Sequence, residues 1–149
     1  MKECTLLLTL LLSVTTITTV GRILRQKRDL LDLVDMFEDI TALDPTDFIP
    51  YGNWCGYGGG GEAVDHIDRC CEVHDNCYGL VAEKECPNQQ VHIVQYYWKT
   101  SNGTAICDEK QTLCEFKVCE CDKNVVECIV RHNNSYNEEH RFIRYDDKR

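Results

Sequence analysis

The stretch that decides the fold occupies residues 51–79 and reads YGNWCGYGGGGEAVDHIDRCCEVHDNCYG. Its first part is a glycine-rich loop around Cys55, in which the backbone can turn several carbonyl groups toward one point. Its second part places His74 and Asp75 among three cysteines and a tyrosine. Oxygen ligands beside an imidazole indicate a site for a hard cation next to a general base, and disulfides would hold both parts together.

Outward from this stretch, the N-terminus predicts a secreted protein. Lys2 precedes an apolar run over residues 6–14, which is shorter than the roughly 20 residues that a membrane-spanning helix needs. We therefore expect a signal peptide over residues 1–21. The basic stretch 22–28 ends in Arg-Gln-Lys-Arg and is predicted to be a propeptide, which leaves residues 29–149 as one mature domain.

The composition is acidic, with a formal net charge of −9 at pH 7. Removal of residues 1–28 would make the remainder more negative, because that segment carries five basic residues and one acidic residue. A domain of this charge attracts cations and is repelled by polyanions. The charge therefore argues against nucleic acid as a partner.

The cysteine count predicts a disulfide framework. The chain has 11 cysteines, of which Cys4 lies in the expected signal peptide, so an even number remains in the mature chain. In an oxidising compartment we expect these to form five disulfides rather than zinc sites. Counting alone leaves the pairing open.

The cysteine spacing predicts how two long helices pair. We expect these helices within 62–82 and 105–131, where cysteines recur every seven residues, or two helical turns. If the helices are antiparallel, the two residue numbers of each bridged pair should add up to the same total. Two bridges meet that condition and fit a single register: Cys70–Cys128 and Cys77–Cys121.

This register has a consequence for the chemistry of the paired helices. His74 would face a position near residue 124 of the second helix, so the carboxylate of Asp122 could reach its imidazole. Asp75 is turned about 100° away from His74 and would face the glycine-rich loop. The other four histidines lie outside this motif and are predicted to be surface residues: His66, His92, His132 and His140.

Two smaller elements are predicted. An amphipathic helix within 29–41 carries an apolar stripe at helical spacing, which could contact a lipid surface or pack in the core. The stripe consists of Leu30, Leu33, Val34 and Phe37. Segments 91–99 and 104–107 flank Asn102 and Gly103, a pattern that predicts a two-stranded hairpin.

Three motifs resemble those of the secreted low-molecular-mass phospholipases A2, in order and with family-like spacing. They are Y-G-x-x-C-G-x-G-G at 51–59, C-C-x-x-H-D-x-C-Y at 70–78, and C-x-C-D at 119–122. The resemblance covers essentially all of residues 29–136. It implies a mainly α, disulfide-rich fold with two long antiparallel disulfide-linked helices, a short N-terminal helix, a calcium loop and a small two-stranded β-hairpin. It also implies five bridges: Cys55–Cys71, Cys70–Cys128, Cys77–Cys121, Cys86–Cys114 and Cys107–Cys119.

The resemblance further implies a calcium-dependent enzyme that acts at a phospholipid membrane or micelle surface. It would hydrolyse the sn-2 ester of glycerophospholipids to a free fatty acid and a lysophospholipid. His74 would be the general base that activates a water molecule, with Asp122 orienting its ring. Tyr78 and Tyr96 would hydrogen-bond to Asp122, although Tyr97 is an alternative to Tyr96 and packing is a rival role for both tyrosines of the pair.

The same resemblance implies which groups bind Ca²⁺. The carboxylate of Asp75 and the backbone carbonyls of Trp54, Gly56 and Gly58 would be the protein ligands. The backbone N–H of Gly56 would also stabilise the oxyanion that forms on the ester.

One departure from the family concerns the C-terminal tail. Many members carry a further bridge from the position of Asn53 to a C-terminal cysteine, and here both partners are absent. We therefore expect an unpinned, mobile tail. Sequons at Asn102 and Asn133 predict N-glycosylation.

A second class of function is compatible with these features. A non-catalytic, acidic, phospholipase-like protein could bind calcium in an extracellular matrix or serve as a receptor ligand. The negative charge and the sequons favour this alternative. The intact set of His74, Asp75 and Asp122 favours the enzyme.

Overall fold

The computed structural model describes residues 31–143, without the side chain of Leu31. Its helices are α1 (Leu31–Ile40), α2 (His66–Lys84) and α3 (Leu113–His132), and its strands are β1 (Trp98–Ser101) and β2 (Thr104–Cys107). The predicted signal peptide, the predicted propeptide and Leu30 lie outside the described residues. Among the described helices, none has the length and apolarity to cross a membrane.

Helices α2 and α3 form the disulfide-linked antiparallel pair, and capping residues determine where each begins. The carboxylate of Asp65 accepts the N–H of Asp68 at the start of α2. Thr112 and Glu115 form a reciprocal capping box at the start of α3. The pattern predicted starts at Glu62 and near Lys110, and both helices begin a few residues later, because these caps satisfy the first free backbone N–H groups.

Residues 31–143 contain five disulfides, and they are the five that the family resemblance implies. Two link α2 to α3 in one register, as the cysteine spacing predicted. The full set is Cys55–Cys71, Cys70–Cys128, Cys77–Cys121, Cys86–Cys114 and Cys107–Cys119.

The hairpin is confirmed, but its first strand is shorter than the apolar segment 91–99. Strand β1 pairs with β2 antiparallel, with Trp98 opposite Cys107. Asn102 and Gly103 connect the strands with φ of 52° and 75°, the left-handed backbone of a two-residue hairpin turn. Residues 91–93 form a 3₁₀ turn instead of strand, so the Val, Ile and Tyr content of the segment reflects burial of single residues such as Tyr96.

The core lies between α1, the α2–α3 pair and the chain that precedes the glycine-rich loop. Helix α1 buries Met36 completely and Phe37 almost completely. Leu33 packs at the edge of the core, and Val34 is half-buried. The predicted stripe is therefore divided between core and surface, and it does not include Met36, which belongs to the core cluster.

Candidate active site

The glycine-rich loop is held by a carboxylate that the motifs did not single out. Asp68, in the first turn of α2, is fully buried. Its two oxygens accept the backbone N–H groups of Asn53 at 2.9 Å, Trp54 at 2.7 Å and Val64 at 3.0 Å. A Cβ at Gly52, where φ is 59°, would overlap this carboxylate. The loop backbone thus wraps around an anion fixed at the helix start.

This arrangement predicts a large effect of Asp68→Asn on stability. The substituted amide keeps one acceptor oxygen and turns an NH₂ group toward buried N–H donors, so at least one charge-assisted hydrogen bond is lost. We expect the free energy of unfolding to fall by about 2–3 kcal/mol, measured by guanidinium denaturation.

The matched control is Asp108→Asn, because Asp108 accepts the N–H of Lys110 in an exposed turn. Exposed hydrogen bonds exchange with water, so the free energy of unfolding of this variant should lie within about 0.5 kcal/mol of the wild-type value. Equal losses in the two variants would contradict the role assigned to Asp68.

The loop backbone approaches the carboxylate of Asp75 closely. A Cβ at Gly59 would lie 2.9 Å from Oδ2 of Asp75 and 2.8 Å from Cα of Trp54. Gly56 and Gly58 have φ of 106° and 77°, backbone conformations that disfavour any other residue. Among residues 31–143 no cluster of three or more His, Cys, Asp or Glu side chains could hold a metal. A cation here would therefore need backbone carbonyls as well as the carboxylate, a donor set that suits Ca²⁺.

His74 and Asp122 meet between α2 and α3. Nε2 of His74 lies 2.7 Å from Oδ1 of Asp122, and Nδ1 lies 3.9 Å from Oδ1 of Asp75. Because an ionised carboxylate only accepts, Nε2 carries a proton, and in the neutral imidazole Nδ1 then carries the lone pair. The basic nitrogen of the imidazole therefore points to the side of Asp75 and the glycine-rich loop.

Two tyrosines complete the surroundings of Asp122, which is buried. The hydroxyl of Tyr78 donates to Oδ1 at 2.6 Å, and that of Tyr96 donates to Oδ2 at 2.5 Å. Burial, reinforced by the Asp122 charge, raises the pKa of Tyr78 and of Tyr96 far above the ordinary value for tyrosine. Both phenols therefore remain hydrogen-bond donors across the working pH range.

The structure brings together most of the predicted site. His74, Asp122, Tyr78 and Tyr96 form one hydrogen-bonded cluster, whereas the side chain of Tyr97 is exposed. Trp54 turns its indole N–H to the carbonyl of Gly61 at 3.1 Å, so its side chain takes part in loop packing.

Sequence reasoning missed three polar residues near the loop: Asp65, Asp68 and His140. The local signal for Asp65 and Asp68 was their spacing of three residues at the start of α2, which is typical of a capped helix. His140, predicted as a plain surface residue, instead lies 2.8 Å from the carboxylate of Asp65. No signal within the sequence around residue 140 points to that contact.

The geometry defines a class: a small, disulfide-linked helical protein in which a partly exposed histidine, paired with a buried aspartate, lies beside a glycine-rich loop. Comparison with known proteins identifies the family. The phospholipase A2 family model matches residues 30–141, and the chain belongs to the phospholipase A2 family.

Curated relatives agree with this assignment. Phospholipase A2 SSD1043 from Scolopendra dehaani is 40% identical over 112 residues, which are 72% of this chain and 76% of that protein. Phospholipase A2 group V from Mus musculus is 36% identical over 103 residues, 68% of this chain and 72% of that protein. A protein named phospholipase A2 homolog from Echis pyramidum leakeyi is 37% identical over 107 residues, 72% of this chain and 84% of that protein.

Proposed function

We propose that the protein is a secreted, calcium-dependent phospholipase A2 that hydrolyses the sn-2 ester of glycerophospholipids. The observation that carries the proposal is the orientation of His74, whose Nε2 is held by Asp122 while Nδ1 points toward the loop and Asp75. Family membership and relatives named phospholipase A2 support the reaction class. The products would be a free fatty acid and a lysophospholipid.

In this proposal His74 is the general base. Its Nδ1 takes a proton from a water molecule as the water oxygen attacks the sn-2 carbonyl carbon. The imidazolium then gives that proton to the departing glycerol oxygen as the ester C–O bond breaks, with no acyl-enzyme. Asp122 stabilises the imidazolium, and Tyr78 and Tyr96 hold both carboxylate oxygens in place.

The calcium site would consist of the Asp75 carboxylate and the backbone carbonyls of Trp54, Gly56 and Gly58. The close approach of the loop to Asp75 supports this donor set. When bound, Ca²⁺ supplies positive charge that polarises the ester carbonyl and stabilises the developing oxyanion. The backbone N–H of Gly56 would donate to the same oxyanion.

The setting proposed for this reaction is the surface of a phospholipid membrane or micelle. A signal peptide at 1–21 would direct secretion, and removal of a propeptide at 22–28 would produce the mature domain. The five disulfides fit an oxidising compartment. Tyr57 at the loop is fully exposed, and Leu33 and Val34 of α1 are partly exposed. These residues are the candidates for contact with lipid.

The test is fatty-acid release from sn-2-labelled phosphatidylcholine vesicles by the secreted protein. We expect release in millimolar Ca²⁺ and a fall to background when a chelator removes the ion, with recovery when Ca²⁺ is restored. Correctly folded protein that releases no fatty acid from several lipids would contradict the proposal. That result would favour the second candidate, a non-catalytic acidic relative that binds calcium or a receptor, for which the net charge of −9 is the supporting observation.

A matched pair of tyrosine variants tests the support given to Asp122. Tyr96→Phe removes a buried donor at 2.5 Å from the carboxylate. We expect the free energy of unfolding to fall by about 1–2 kcal/mol and the rate of hydrolysis to fall by up to about tenfold. Tyr97→Phe removes an exposed hydroxyl and should change neither quantity. A larger effect of Tyr97→Phe than of Tyr96→Phe on hydrolysis would contradict the assignment.

A further inference from the structure

A second hydrogen-bonded cluster lies at the base of the glycine-rich loop, away from His74. The hydroxyl of Tyr51 donates to Oδ2 of Asp65 at 2.5 Å, and Nδ1 of His140 lies 2.8 Å from the same oxygen. The Tyr51 hydroxyl also accepts the backbone N–H of Asn137 at 3.1 Å. Two segments of the chain, the loop base and the C-terminal segment, therefore meet on one carboxylate.

The protonation states of this cluster favour tight hydrogen bonds. Burial, together with the hydrogen bond to Asp65, raises the pKa of Tyr51 above its ordinary value, so the phenol stays a donor. Although burial acts to raise it, hydrogen bonds from Asp68, Tyr51 and His140 lower the pKa of Asp65 on balance. Because Asp65 is an acceptor only, Nδ1 of His140 must carry the proton that it donates.

Backbone contacts connect the same cluster to the loop. The C-terminal segment pairs antiparallel with the loop base through an isolated bridge between Tyr51 and Arg141, and the N–H of Gly52 donates to the carbonyl of His140 at 2.9 Å. Tyr51 in turn exchanges two backbone hydrogen bonds with Cys55, at 3.3 and 3.1 Å. Tyr51 thus lies between the C-terminal segment and the part of the loop that would bind the cation.

Packing adds to these polar contacts. The ring of Tyr136 stacks on that of Tyr51 with centroids 5.3 Å apart. Beyond His140, Arg141 contacts Asp47 and the carbonyl of Thr46, on the side of the 3₁₀ turn 45–48. The described part of the tail is therefore attached, although no cysteine follows Cys128 in the sequence. Whether the tail moves in solution stays a prediction.

We propose that His140 is a positioning residue for the calcium loop, acting through Asp65 and Tyr51. The inference rests on the proposed calcium site. Asp65 also caps α2 through its other oxygen, which accepts the N–H of Asp68 at 2.9 Å. Loss of the His140 contact would loosen both the loop base and the first turn of the helix that carries Asp75, so the backbone carbonyls would no longer be preorganised for the ion.

The experiment compares three variants of the full, secreted chain. His140→Ala removes the ring, His140→Asn keeps a donor near the position of Nδ1, and Arg141→Ala removes the tail's contact with the 3₁₀ turn at 45–48. Ca²⁺ affinity is measured by calorimetry. Backbone amide exchange at residues 52–56 is measured without Ca²⁺, and the melting temperature is recorded for each variant.

We expect His140→Ala to weaken Ca²⁺ binding about tenfold, the size seen for residues that orient metal ligands. Exchange at Gly52 and Cys55 should become faster in the same variant. His140→Asn should recover most of the affinity. Arg141→Ala should lower the melting temperature without weakening Ca²⁺ binding, since the partners of the Arg141 side chain do not lie on the loop and the substitution keeps the backbone bridge to Tyr51.

The outcomes that overturn the inference differ from those that overturn the proposed function. If wild type binds Ca²⁺ and His140→Ala binds it equally well, the positioning role is wrong and the proposed function stands. If wild type does not bind Ca²⁺, the proposed function is wrong, and amide exchange decides whether His140 still orders the loop. Should His140→Ala not fold, Tyr51→Phe carries the test, because it removes the other side-chain donor to Oδ2 of Asp65.

Discussion

His74→Gln should lower the rate of fatty-acid release by about 10³-fold or more, while the protein stays folded and binds Ca²⁺ as wild type does. The glutamine amide can donate to Asp122 in place of Nε2, so the buried carboxylate keeps its partners. An amide cannot take a proton from water near neutral pH, so the chemical step loses its base. The measurements are steady-state hydrolysis of phosphatidylcholine vesicles, Ca²⁺ affinity and the unfolding midpoint.

His66→Gln is the matched control for this variant. His66 is the first residue of the same helix, is exposed, and stacks on His132 rather than on any residue of the candidate site. We expect its activity to be unchanged. Activity of His74→Gln within about tenfold of wild type would rule out His74 as the base, because general-base catalysis ordinarily contributes at least about 10²-fold.

Asp75→Asn should abolish the calcium dependence along with the activity. The substitution keeps the shape of the side chain but removes the one charged ligand of the proposed site, beside the backbone of Gly59. We expect Ca²⁺ affinity to fall by about 10²-fold or more and hydrolysis to fall to near background at millimolar Ca²⁺. Calorimetry with Ca²⁺ and the vesicle assay over a range of Ca²⁺ concentrations are the measurements.

Asp39→Asn, on the exposed side of α1, is the control for charge alone. It makes the same change in net charge as Asp75→Asn and should leave Ca²⁺ affinity and the rate of hydrolysis as in wild type. If Asp75→Asn retains wild-type Ca²⁺ affinity, the ion binds elsewhere. Comparison with His74→Gln separates the roles, since the histidine variant is expected to lose only activity and the aspartate variant to lose both.

The contact between His74 and Asp122 is predictable from the amino-acid sequence, because it follows from regular geometry. Helical periodicity fixes which side chains share a face, and two bridges seven residues apart fix the register of α2 against α3. Tyr78 follows from the same rule, as it lies one turn beyond His74. Tyr96 is harder to separate from Tyr97, because the residues between the 3₁₀ turn and strand β1 have no periodicity; burial in the folded chain selects Tyr96.

The contacts of Asp68 and His140 could not be predicted in this way. Asp68 accepts from loop residues 14 and 15 positions earlier, and His140 lies 75 positions after Asp65. In each contact at least one partner lies in irregular backbone, which has no repeat from which a distance can be inferred. The expectation of an unpinned tail rests on the missing cysteine alone, whereas hydrogen bonds and ring stacking attach its described part.

By itself the amino-acid sequence determined the family, the disulfide-linked helix pair, the hairpin turn and the residues proposed for catalysis. Each of these depends on short-range spacing: a motif of consecutive residues, a helical repeat, or a glycine where the backbone needs a left-handed conformation. Only the tertiary structure decided which carboxylates hold the loop and where the C-terminal segment attaches. Those contacts join residues distant in sequence, and their partners become defined only when the folded chain removes them from water, where leaving a polar group unpaired costs free energy.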